Sequence, residues 1–211
     1  MSATVFDQLA SGQAPPHVPL TVAHMHEMVR AGWLLEGEPV ELIEGVLVRK
    51  DRSASGESRM THGKRHSSAI AMLRRLDRLL GGDDCHLRSQ LPVTLSATSE
   101  VEPDGAIVVG RDDAYQKQHP APSDVLVVIE VADSSLAFDR GTKQRLYATA
   151  AIPIYVIVNL VEAHIEVYRQ PDVARGRYGI RRDFTVDETI ELTLPSGTVS
   201  IACRDLLPVS A

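Results

Sequence analysis

The sequence is poor in aromatic residues, with one Trp, five Tyr and three Phe in 211 positions. So few rings argue against the stacking platform on which single-strand binders lay successive bases, and the lone Trp33, next to Gly32 at an expected helix end, reads as a core anchor. Cysteine is almost absent. Cys85 and Cys203 lie far apart without a CxxC pattern, which reads as two reduced, structural thiols in a cytoplasmic protein. The eight histidines show no HExxH, no Cys/His grouping and no four-ligand spacing, so no zinc grammar is present. His24 and His26 are two apart and point to different faces of a helix, whereas His62 and His66 share a face if their helix starts early. Neither GxGxxG nor GxxxxGK[ST] occurs, nor a GxSxG elbow, against a nucleotide cofactor and a serine hydrolase. The longest apolar runs, such as 125–129 and 151–158, are strand-length and too short for a membrane span. Residues 1–20 hold Asp7 and scattered prolines and lack the basic start and apolar stretch of a signal peptide.

What is present is a chain with 44% apolar residues, enough to bury one sizeable core. The expected organisation is a flexible tail over 1–20 and a single domain over 21–207, with no internal repeat. The formal net charge is −6, but it is uneven. Residues 49–75 hold eight basic side chains, Lys64 and Arg65 among them, against Asp51 and Glu57; this strip is +6, leaving −12 for the rest. A basic strip on an acidic body can face nucleic acid, or it can be a solvated loop and helix surface.

Thr21 is a plausible N-cap for a helix over roughly 22–31, ended by Gly32. VELIEGVLV (40–48) contains a strand from Val46 with Gly45 as the turn before it, and residues 50–62 form a polar loop. Ile70, Leu73, Leu76 and Leu80 predict an amphipathic helix over 64–81, stopped by Gly81–Gly82. Strands are expected over 86–95, broken at Pro92, and over 105–110 and 125–131. A helix follows over 139–150, a strand over 154–159, and two hairpin pairs, 163–169 with 177–184 and 189–194 with 198–202, the last turning at Ser196–Gly197. Because the runs 105–110 and 125–131 are almost continuously apolar, they belong to the buried centre of a sheet. The fold class is therefore α/β (α+β), a mixed central sheet flanked by helices with extra β-hairpins at the C-terminal end.

Two acids stand where burial makes acids unwelcome. Asp104 opens the strand AIVV, and Glu130 ends VLVVIEV. A carboxylate at the end of a core strand loses solvation and needs a partner or a metal to stay charged. Two such strand ends, with the carbonyl of Val131, suit Mg²⁺, which takes oxygen ligands and keeps several waters; Mn²⁺ can substitute. Asp139, Lys143 and Tyr147 recur at i, i+4, i+8 on one helix face. Lys143 aimed at the metal would stabilise charge developing on a phosphate, or else Asp139 and Lys143 form an ordinary helix ion pair above a core tyrosine.

Taken in order, several of these segments resemble the Uma2-type endonucleases of the PD-(D/E)XK restriction-endonuclease-like superfamily. The resemblance spans about 21–207 and rests on VELIEGVLV, on His66 followed by Ile70 and Leu73, and on Pro103–Asp104. It continues with Ile129–Glu130–Val131, the Asp139–Lys143–Tyr147 face and IPIYVIVN at 152–159. It implies a nuclease core with Asp104 and Glu130 as metal ligands, Glu41 as the acid of the first motif, and Lys143 as the family's helical lysine. It also implies His66, Gln90 on the strand before Asp104, Tyr147, Lys64 and Arg65 as residues near the substrate. Ala132 takes the third position of the usual E-x-K motif, so the lysine comes from the neighbouring helix, which is the family's own pattern. The stretches Asp133–Leu136 and Ile154–Val156 depart from the family's usual residues.

Two functions of different class follow. One is a metal-dependent endonuclease acting on DNA as a homodimer that matches duplex symmetry. The other is a catalytically inactive module of the same fold that binds nucleic acid or a protein partner, which the acidic net charge favours.

Overall fold

A computed structural model describes residue 8 and residues 11–12, 18–50, 63–80, 84–195 and 197–208. Most of the expected tail, most of the loop 50–62, Gly81–Gly82 and Ser196 lie outside the described residues.

Helix α1 (Val22–Arg30) begins at a reciprocal cap: the Thr21 hydroxyl accepts from the His24 amide, and His24 Nδ1 accepts from the Thr21 amide. Gly32, at φ +74°, ends it and turns Trp33 outward, where the indole is 78% exposed. The expected core anchor is thus a surface residue: the left-handed turn carries the chain away from the sheet before the indole can reach it. VELIEGVLV forms a hairpin of β1 (Val40–Ile43) and β2 (Val46–Arg49), turned by Glu44 and Gly45, both at positive φ. Helix α2 (Lys64–Leu73) continues through a 3₁₀ turn (Arg74–Leu76) into a short α3 (Asp77–Leu80).

The next strands are β3 (Cys85–Arg88), β4 (Val93–Ser96), β5 (Ser99–Val101), β6 (Gly105–Val109) and β7 (Val125–Ala132). The second expected helix starts earlier than its apolar pattern indicates. A turn of α4 (Leu136–Phe138) runs into a π-helical segment (Asp139–Lys143) and then α5 (Gln144–Thr149). The chain ends with β8 (Ile154–Asn159), β9 (His164–Asp172), β10 (Arg177–Phe184), β11 (Thr189–Leu194) and β12 (Gly197–Ala202).

The main sheet has the order β10-β9-β8-β7-β6-β3, with β7 and β8 parallel and the other neighbours antiparallel. A second sheet has the order β2-β1-β5-β4, and β11–β12 pair as a separate hairpin. This is the expected mixed α+β architecture. Strand alternation divides the core in two. Ile107, Val127, Ile129, Val131 and Val158 pack with α2, α3 and the β11–β12 hairpin. Ala106, Val108, Val128, Tyr155 and Ile157 face the other way, towards Leu146 and Tyr147 of α5 and Ile43, Val93 and Val101 of the second sheet. Asp104 and Glu130 share the parity of this second set, so they enter the layer between α5 and the small sheet. Among the described residues, no helix is long and apolar enough to cross a membrane.

Candidate active site

The antiparallel register of β6 on β7 pairs Gly105 with Ile129. Carried one residue further, it sets Asp104 opposite Glu130. The two acids are clasped by each other's strand: the Asp104 amide donates to Glu130 Oε2 at 3.3 Å, and the Val131 amide donates to Asp104 Oδ2 at 2.8 Å. Both carboxylates are buried. In an extended strand a residue's N–H and C=O project to the same side, so the Val131 carbonyl faces the Asp104 strand as well.

Lys143 is also buried, and its ammonium lies 2.8 Å from both carboxylate oxygens of Glu41 and 3.4 Å from Glu130 Oε1. Its partners are therefore on β1 and β7, not at Asp139 on its own helix. The π-helical segment makes this possible: an extra residue in the turn rotates both Asp139 and Lys143 into the core. Glu41 is held in turn by the Glu102 amide at 2.8 Å. Tyr147 is fully buried, and its hydroxyl donates to Glu130 Oε1 at 2.6 Å. Tyr147, expected near the substrate, has no accessible surface in this structure, and its hydroxyl bears on Glu130.

Of the other expected residues, His66 brings Nε2 to 3.6 Å from Asp104 Oδ1. Lys64 and Arg65 are exposed on the first turn of α2. Gln90 is not on a strand. It sits in the bend after β3 at φ +53°, because its amide turns back to donate to the Asp104 carbonyl at 3.2 Å.

The residue that sequence reading passed over is Lys50, whose Nζ donates to the Glu102 carbonyl and lies 4.0 Å from Glu41. The signal was available. The hairpin pairs Glu41 with Val48, so Lys50, two residues further, falls on the same face as Glu41.

The environment drives the two metal-site candidates apart. Burial alone would raise Asp104, but the adjacent His66, the Val131 amide and Lys50 outweigh it and hold this carboxyl below its ordinary range. Burial pushes Glu130 up against the pull of Lys143, with Asp104 and Glu41 adding to the rise. Burial would lower Lys143, but Glu41 and Glu130 more than offset it, so the ammonium stays charged well above its ordinary range. His66 is likewise raised, its desolvation being overcome by Asp104. Three buried carboxylates, Glu41, Asp104 and Glu130, thus crowd round one buried ammonium, with Lys50 and His66 at the margin, and a cation at the strand ends would relieve their mutual repulsion. The donor set at that point is all oxygen, which suits a hard divalent ion. Glu41 is committed to Lys143 and the Glu102 amide, whereas Asp104 Oδ1 faces His66 Nε2 at 3.6 Å; Glu130 would meet an ion through oxygens that also accept from Tyr147 and the Asp104 amide.

Among the described residues, Asp139 has no cation within salt-bridge distance. Burial, reinforced by Glu130, pushes it up to about 7, against the Ser135 hydroxyl, which donates to it at 2.6 Å. A raised carboxyl subtracts from stability as pH climbs from its unfolded value towards its folded one, and subtracts nothing below both. Asp139→Asn, which can keep the Ser135 bond, is therefore expected to stabilise the metal-free protein at pH 8 by on the order of 2 kcal/mol, and not at pH 4. Urea unfolding at both pH values in EDTA checks this. An equal gain at both would mean that the charge on Asp139 is not the cause.

Comparison with known proteins places the fold and the family. A search of the solved structures finds the crystal structure of a "putative nuclease belonging to DUF820" from Anabaena variabilis ATCC 29413. It has a TM-score of 0.62 at 17% identity, over 89% of this chain and 97% of the other, which establishes a shared fold. No curated protein matches the sequence. The family model of Uma2, described as "Putative restriction endonuclease", matches residues 27–204, which include both strand-end carboxylates, Glu41 and Lys143, and the chain accordingly belongs to the Uma2 family.

Proposed function

We propose that this protein is a metal-dependent endonuclease that hydrolyses phosphodiester bonds of DNA. The observation that carries the reading is the cross-strand clasp of Asp104 and Glu130, with a permanently charged Lys143 delivered beside it from the π-helical turn. Asp104, Glu130 and the Val131 carbonyl would hold Mg²⁺ or Mn²⁺. When bound there, the ion supplies Lewis-acid stabilisation of the phosphate and lowers the pKa of water. Lys143, held charged between Glu41 and Glu130, would contribute fixed positive charge next to the site of charge development. Glu41 and Tyr147 position Lys143 and Glu130 respectively. Lys64 and Arg65, exposed on the first turn of α2, provide a cationic approach for the backbone next to His66. Action as a homodimer belongs to the same proposal.

A second reading, a nucleic-acid-binding module without catalysis, is favoured by the closure of Lys143 onto Glu41 and Glu130, which neutralises much of the site internally. Supercoiled plasmid and single-stranded DNA, incubated with protein in Mg²⁺, Mn²⁺ or EDTA, separate the two. The endonuclease nicks or linearises the plasmid only with metal, and Asp104→Ala abolishes this while remaining folded by circular dichroism. Binding without cutting, by a folded protein in either metal, selects the module.

A further inference from the structure

Two groups of three or more His, Cys, Asp or Glu side chains bring their ligand atoms within 4.8 Å of one another among the described residues, and neither is the site above. In one of them, Glu162, His164 and Glu166, the acids are already taken. Arg140 bridges Glu162 and Glu166, and Asn159 and Tyr168 also donate to Glu166. The other is His26, Glu100 and His119, and it is built differently.

These three residues come from separate elements: His26 from α1, Glu100 from β5, and His119 from the connection between β6 and β7. Each is pinned. Helix α1 is tied to the small sheet by the Val22 amide, which donates to the Ala97 carbonyl at 2.9 Å. Thr94, the cross-strand partner of Glu100, donates its amide to the Pro120 carbonyl at 3.0 Å, which fixes His119 beside the carboxylate. The Thr94 hydroxyl donates to Glu100 Oε2 at 2.6 Å, orienting the carboxylate and leaving Oε1 for another partner. His26 Nε2 stands 2.8 Å from that Oε1. His119 Nδ1 is buried and meets no hydrogen-bond partner among the described residues, although its ring lies edge-on to His26 with centroids 6.3 Å apart.

We propose that His26, Glu100 and His119 form a second metal site, one that takes a borderline ion of the Zn²⁺ class and not Mg²⁺. Two imidazoles and one carboxylate are the ligand set of three-ligand zinc centres. Ligands about 2 Å from a tetrahedral ion stand roughly 3.3 Å apart, and small rotations of His26 and His119 reach this. The metal would take the place of the direct His26 Nε2–Glu100 Oε1 contact, both atoms becoming ligands. The half-exposed edge of His26 leaves room for water at the fourth position. Arg88 is the cation that faces the cluster, and the Glu100 charge offsets it. The site lies across the small sheet from Glu41, since Glu100 pairs with Leu42 and adjacent residues face opposite ways. It would therefore fasten α1 and the 111–121 connection to the sheet that carries Glu41.

Isothermal titration of the metal-free full-length chain with ZnCl₂ and with MgCl₂ tests this, using Asp104→Ala as the background so that the nuclease site does not contribute. Asp104→Ala is expected to bind one equivalent of Zn²⁺ at this site. Adding His26→Ala or His119→Ala is expected to weaken it at least about tenfold, with the fold retained by circular dichroism. No Zn²⁺ binding by the folded Asp104→Ala protein would overturn the proposal. So would unchanged affinity in either histidine variant, or Mg²⁺ binding there as tightly as Zn²⁺. None of these outcomes depends on whether the protein cleaves DNA.

Discussion

Lys143→Met is expected to be the most damaging single substitution in this protein. The ammonium is the one buried cation between Glu41 and Glu130, and all three groups are nearly sealed from solvent. Methionine matches the side chain as far as Cε, one atom short of the ammonium, and keeps packing beside Tyr147, whose ring lies 5.9 Å from Nζ. What it removes is the charge, leaving Glu130 without its counterion and Glu41 with only the more distant Lys50, at 4.0 Å. Breaking a buried pair in this way costs about 3–5 kcal/mol, much more than an exposed pair. The sign with pH follows from the raised lysine: its stabilisation is full below the unfolded pKa and is lost only as pH climbs through the still higher folded value. Between pH 6 and 9 the loss should therefore be constant on the lysine side. Removing one of the stranded charges should restore part of the loss, so Glu41→Gln combined with Lys143→Met is expected to be more stable than Lys143→Met alone, by at least about 1 kcal/mol. Urea unfolding of the wild type, both single variants and the double variant gives the coupling. Additive effects would show that Lys143 and Glu41 are not paired in solution. Where Lys143→Met remains folded, cleavage should fall by about 100-fold or more, since a fixed charge beside the reacting phosphate is gone.

The sequence discloses the central sheet because 105–110, 125–131 and 154–159 are buried on both faces and so read as unbroken apolar runs. It discloses Asp104 and Glu130 for the converse reason: a charge at the end of such a run is conspicuous. β5 escapes the same reading, since Ser99 and Glu100 are polar and are buried by particular partners. Ser99 accepts from the Glu44 amide, and Glu100 takes His26 and Thr94. Nothing in a hydropathy pattern anticipates such bonds. The helix bearing Lys143 was legible as a helix, but its π-helical turn was not, and that turn decides which way Asp139 and Lys143 point. The pairing of Lys143 with Glu41 bridges 102 positions, beyond any local period. His26 and His119 are also remote from each other in the chain, which explains why a scan for zinc spacing finds nothing while the fold brings them together.

Glu130→Gln is expected to separate chemistry from stability. The substitution keeps an oxygen to accept from Tyr147, and it removes a carboxylate whose burial already works against its charge. A carboxyl raised by burial subtracts from stability above its unfolded pKa, so at pH 7.5 in EDTA neutralising it is a gain. Against this, Lys143 loses its 3.4 Å contact while keeping Glu41, and one amide hydrogen of the glutamine crowds the Asp104 amide. These effects oppose each other, and the metal-free variant should match the wild type to within about 1 kcal/mol. Metal response and cleavage should behave otherwise. With Mg²⁺ at a hundred times its Kd, the wild type should gain about 2.7 kcal/mol by mass action, whereas the variant, short of one of two carboxylate ligands, should gain almost nothing. Plasmid cleavage should fall by about 1,000-fold or more, because the amide neither holds the ion nor carries charge. Thermal unfolding with and without Mg²⁺, run beside the plasmid assay, reads all three quantities on one preparation. A variant that keeps its Mg²⁺ stabilisation would move the metal away from Glu130. One that loses stability in EDTA as severely as Lys143→Met would make Glu130 chiefly the counterion of the lysine.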